Sequence, residues 1–81
     1  MGIKQIPVNK FIKWLESKGL RYIRTTASHD HYNYPENDPR RLTRNIVVRT
    51  KDKDIPQFHL HTNLQTIGIT KSQFEQEIKA F

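Results

Sequence analysis

The chain has 81 residues, carries a net charge of +6 and has no cysteine, with 35% of its residues hydrophobic. That length bounds it to one domain, residues 1–81, with a small core and a stability of roughly 5 kcal/mol or less, and the apolar content favours folding over disorder. The missing thiols exclude disulfides and thiolate metal centres and are compatible with a reducing cytoplasm, the expected location. No apolar run is long enough for a transmembrane helix, and residues 1–7 carry no signal-peptide pattern.

Val8, Phe11, Ile12 and Leu15 follow i, i+3, i+4, i+7 spacing, which predicts a helix over 8–18 with one buried face. Asn9 is the expected N-cap and Gly19 the left-handed residue just past the end. Trp14 lies at the margin of the stripe and is expected in the core. Leu20–Thr26 and His29–Tyr34 read as two strands, the second ended by Pro35. Glu36-Asn37-Asp38-Pro39 is a turn cluster, and Asn45–Thr50 a third strand around Ile46, Val47 and Val48. Lys51–Asp54 is a charged turn, and Ile55-Pro56 suits the start of a helix. Gln57–Thr66 places Leu60, Leu64 and Ile67 at helical spacing before Gly68, and Thr70-Lys71-Ser72-Gln73 is a capping box that opens a short last helix. The order α-β-β-β-α plus a terminal helical turn or two predicts an α+β fold. Its three consecutive strands favour a three-stranded antiparallel sheet with the helices on one face.

Positive charge is uneven. Six lysines and arginines lie between Lys4 and Arg24 against Glu16 alone, and six between Arg40 and Lys53 against Asp52 alone. Such a surface is the footprint of a polyanion binder, although a solubility charge gives the same count. Within it, Ala27-Ser28-His29 separates the first two strands, with Arg24 five residues before His29. An imidazole is the side chain whose ordinary pKa lies nearest neutrality, so a histidine among guanidinium groups points to proton transfer on a phosphodiester. His31 shares a strand face with His29 and is either a second catalytic group or an exposed strand residue. Ser28 either binds a phosphate or shapes the turn. Tyr32 and Tyr34 fall on the opposite face, as core residues or as base-stacking platforms. Lys10, Lys13, Arg40, Arg41, Arg44 and Lys53 are expected to contact RNA phosphates rather than to react. His59 and His61 form a second His-x-His, but in a helical segment residues two apart do not share a face, which argues against a zinc site with His29 and His31. No metal or other cofactor is expected.

The run from Gly19-Leu20-Arg21-Tyr22-Ile23-Arg24 through Ala27-Ser28-His29 to Tyr32 and Pro35 resembles the signature of HicA (YcfA-like) toxins. In that signature a glycine and an aromatic or aliphatic residue lead through an arginine to Gly-Ser-His, an aromatic and a proline. The preceding helix, with Leu15 and Lys18-Gly19, fits as well, as does the tail from Leu60 through Gly68-Ile69-Thr70 to Phe74. The resemblance spans nearly the whole chain. It implies a fold like a double-stranded-RNA-binding domain and an mRNA interferase activity. It also implies a HicB-type antitoxin protein as partner and His29 as the catalytic histidine. Two features depart from the pattern. Ala27 replaces a glycine, so a positive φ in the turn is not cheap, and residues 36–43 are longer than the usual hairpin. With no carboxylate cluster, cleavage of mRNA would use its own 2′-hydroxyl, assisted by His29 and by Arg24, with Lys51 a weaker choice. The products would be a 2′,3′-cyclic phosphate and a 5′-hydroxyl. The alternatives are a non-catalytic RNA-binding module of the same shape, or a protein acting mainly through a protein partner. The absence of lysine and arginine from Gln57–Thr66 speaks against the RNA-binding module.

Overall fold

Helix α1 (Val8–Ser17) buries Val8, Phe11, Trp14 and Leu15 along the expected stripe. The computed structural model, which describes residues 5–49 and 51–81, starts this helix two residues earlier than the Asn9 cap would. Pro7 occupies the N-cap position with φ −59°, and its hydrocarbon ring, which has no acceptor, makes no side-chain cap. Past the helix, Gly19 adopts φ +101°, and the Arg40 guanidinium lies 2.9 Å from where a Cβ would stand. Glycine is therefore needed there for conformation, while the guanidinium, at the end of a flexible side chain, could give way.

Strands β1 (Arg21–Thr26), β2 (His29–Asn33) and β3 (Ile46–Arg49) form one antiparallel sheet in the order β1-β2-β3. Tyr32 pairs with Ile46, and Asp30 with Val48. Tyr32, Ile46 and Val48 are all buried, so this is the core face. His29 and His31 point the other way, onto an outer face shared with their cross-strand partners Arg49 and Val47. Strand β1 is exposed along almost its whole length. Its alternating sequence predicts a half-buried strand, but β1 packs chiefly against β2 and gains little cover from the helices.

Helices α2 (Gln57–Ile67) and α3 (Lys71–Ile78) complete the fold. Gly68 closes α2 at φ +87°. The Thr70 hydroxyl accepts a hydrogen bond from the Gln73 backbone, one half of the expected capping box, while the Gln73 side chain donates to Glu77 instead. Phe11, Trp14 and Phe74 form an aromatic centre, with Trp14 edge-on to Phe74 at 4.7 Å. The result is a small α+β domain with an open three-stranded antiparallel sheet and three helices. No helix among the described residues is long and apolar enough to cross a membrane.

Two buried asparagines join these parts. Asn33 donates to the Leu42 carbonyl (3.0 Å) and to Asn45 Oδ1 (2.9 Å), and its own Oδ1 accepts from the Tyr34 and Leu42 backbones. The long β2-β3 connection is thereby folded back over one end of the outer face. Asn63 donates to the Val47 carbonyl at 2.9 Å, and its Oδ1 receives the Val47 amide at 3.4 Å. One carboxamide thus pairs with the backbone at the free edge of β3, covering groups that would otherwise template another strand.

Candidate active site

Thr26 pairs directly with His29, leaving Ala27 and Ser28 as a two-residue turn, with φ of +47° and +69°. Positive φ at both central residues is the demand of a type I′ hairpin, whose twist matches that of the flanking strands. The hairpin register thus imposes on Ala27 the positive φ that is not cheap for alanine, at a cost of about 1–2 kcal/mol for an L-residue. The turn makes His29 the first residue of β2 and places its side chain on the outer face.

His29 is partly exposed rather than sealed in the interior. It lines a cleft of about 200 Å³ between the sheet and α2. The sheet side of this cleft is built from His29, Arg44 and Asn45, and the helix side from Phe58, His59 and Thr62. Asn33 holds the connection that carries Arg44 and Asn45, so a buried amide behind the cleft positions its cation. On α2, His59, Thr62, Asn63 and Thr66 recur at i, i+3, i+4, i+7 and so line one side of the helix. His61 faces a separate, mainly apolar cleft with Leu60, Leu64 and Ile69. The two histidines of the second His-x-His thus look into different spaces, as helical geometry dictates. Among the described residues no three His, Cys, Asp or Glu side chains gather as ligands for a metal ion.

His31 shares the outer face with His29 but does not line the cleft. Its Nε2 is 2.8 Å from Thr26 Oγ1 and its Nδ1 3.5 Å from Asn45 Nδ2, so the ring is held between the hairpin and the β2-β3 connection. Arg24 stands across from His31 rather than from His29, on the exposed edge strand, past a bulge between Tyr22 and Arg24. The residue opposite His29 on β3 is Arg49, which pairs with Asp52 at 3.6 Å. Arg44 is thus the cation that shares the His29 cleft.

The other basic positions do not converge there. Lys10 and Lys13 belong to α1, in the helical layer on the core side of the sheet. Lys53 is exposed in the turn whose carbonyl receives the Val8 amide. Arg40 donates to both Asp38 oxygens and to the Lys18 carbonyl, with its guanidinium 4.3 Å from the Tyr34 ring centre. The pairing raises the pKa of Arg40 and lowers that of Asp38, chiefly through their shared hydrogen bond. Arg41 donates to the Tyr34 carbonyl. Arg40 and Arg41 therefore brace the β2-β3 connection. Tyr32 and Tyr34 are buried, which makes them core residues and not stacking platforms.

As sequence, His59 stands out only as a zinc ligand paired with His61, and nothing in that pairing points to its place across the cleft from His29. The polar repeat at 59, 62, 63 and 66 was the available signal for the α2 side of the cleft. Compared with protein-family models, with curated proteins and with solved structures, the chain gives no match.

Proposed function

We propose that this protein is a metal-independent endoribonuclease of the HicA toxin type, with a fold of the double-stranded-RNA-binding class, which cleaves mRNA in the cytoplasm and is neutralised by a HicB-type antitoxin. The observation that carries this reading is a partly exposed His29 sharing a cleft with the Arg44 guanidinium. His29 takes the proton of the ribose 2′-hydroxyl, which attacks the adjacent phosphorus. A positioned base of this kind contributes roughly 10²–10⁴-fold. Arg44 stabilises the negative charge that collects on the phosphoryl oxygens. Arg24 and Arg49, on the same outer face, bind flanking phosphates, and the requirement for a 2′-hydroxyl separates RNA from DNA. Ser28 sets the turn that presents His29, and His31 buttresses it through Thr26.

A binding module that only holds RNA gains nothing from an imidazole at the mouth of a cationic cleft, and α2 offers no lysine or arginine for a duplex backbone. The test is incubation of the purified protein with a defined transcript, with and without EDTA, beside His29→Ala. The expected result is chelator-resistant cleavage to 2′,3′-cyclic phosphate and 5′-hydroxyl ends, lost in the variant while its thermal melt is kept. Free 3′-hydroxyl ends, or full activity in His29→Ala, would overturn the reading.

A further inference from the structure

We propose that His59 is the second proton-transfer group of this site, protonating the leaving 5′-oxygen as His29 deprotonates the 2′-hydroxyl. The proposal rests on the nuclease reading above and names the partner that the reading leaves open. The reaction moves two protons. The O2′–P bond forms as the 2′-proton passes to His29, and the P–O5′ bond breaks as a proton from His59 reaches O5′. The products are a cyclic phosphate and an alcohol, with no change of oxidation state and no water consumed.

Geometry selects His59. In an in-line displacement the attacking and leaving oxygens lie on opposite sides of phosphorus. Acid and base must therefore come from different walls around the phosphate. His29 and His31 project from one face of one strand, and the His31 ring is already engaged by Thr26 and Asn45 outside the cleft. His61 faces the other cleft. His59 lines the same 200 Å³ space as His29 from the helix side, with Arg44 as the further charged group there.

The placement of His59 is not incidental to a surface helix. Asn63, one turn further along the same face, is bonded to the edge of β3 at Val47 in both directions. That clamp sets the rotation and height of α2 against the sheet, and with it the position of His59. Asn63 is thus a positioning residue, while His59 is the reacting group.

The experiment compares His59→Ala, His59→Gln, His29→Ala and, as a control from the other cleft, His61→Ala. Each is assayed on an RNA oligonucleotide and on a nucleoside 3′-(4-nitrophenyl phosphate), whose leaving group needs no proton. Loss of a general acid should slow RNA cleavage by roughly 10²–10⁴-fold in both His59 variants. Their rate on the aryl ester should return towards that of the unsubstituted protein, whereas His29→Ala stays slow on both substrates. The unsubstituted protein should show a bell-shaped pH–rate profile on RNA, with the alkaline limb absent on the aryl ester. His59 variants that cleave RNA at full rate, or that are slowed equally on both substrates, would refute the proposal while leaving the nuclease reading intact. A single-limbed profile on RNA would refute it without any variant. If the unsubstituted protein cleaves no RNA, the nuclease reading itself fails.

Discussion

Replacing Ala27 with glycine should stabilise the protein, an unusual direction for glycine at a strand junction. Ala27 sits at φ +47° because the Thr26–His29 pairing leaves only two residues to reverse the chain. For an L-residue the left-handed region costs about 1–2 kcal/mol, a penalty glycine does not have. Glycine gives back about 0.4–1 kcal/mol through the greater freedom of its unfolded chain. The net gain is about 0–1.6 kcal/mol, centred on about 0.8 kcal/mol. At about 4–8 °C per kcal/mol for a domain of this size, Tm should rise by several degrees. Urea melts of the unsubstituted protein, Ala27→Gly and Ala27→Val test this, with an unchanged slope required so that the shift in midpoint reports the change in stability. Valine, β-branched and worse at positive φ, should move the midpoint the other way. If glycine lowered the midpoint, or valine left it unchanged, the turn would not be left-handed, and the placement of His29 derived from it would fall.

Three further outcomes follow from the packing. Glu77 accepts hydrogen bonds from Lys18, Gln73 and Trp14, which bring its pKa down from 4.5 to about 2. Because the folded form holds this proton less tightly than the unfolded form, the stabilisation is complete above pH 4.5 and is lost as pH falls towards 2. Glu77→Gln should therefore flatten the acid limb of stability against pH, with a residual slope from Asp38, and an identical limb would contradict the assignment. Glu77→Leu leaves the indole N–H of the fully buried Trp14 without its acceptor. It should cost about 1–3 kcal/mol in a denaturant melt, more than Glu77→Gln does. Asn33→Leu removes the acceptor of the Tyr34 and Leu42 amides and should cost about 3 kcal/mol. The β2-β3 connection should then be cut by trypsin at Arg40, Arg41 and Arg44 under conditions where the unsubstituted protein resists. Equal resistance would show that Asn33 does not hold that segment.

Local chemistry wrote much of this protein into its sequence. The α1 stripe, Gly19 and Gly68 beyond two helix ends, the Thr70–Gln73 cap and the three strands follow from interactions within a few residues, where side-chain periodicity and backbone freedom decide the outcome. His29 at the start of β2 was legible for the same reason. One local expectation failed, since Pro7 and not Asn9 caps α1, while strand pairing holds Ala27 at the costly positive φ. Tertiary structure alone decided which histidine meets which. His29 and His31 are two residues apart, yet the cleft joins His29 to His59, because α2 is clamped to β3 by Asn63 and a helix turns His61 away within two residues. Likewise Arg40 and Arg41, indistinguishable from Arg44 as sequence, are drawn to Asp38 and to backbone carbonyls while Arg44 enters the cleft. Contacts between residues far apart in sequence depend on how the whole core packs, and no short run of residues contains that information.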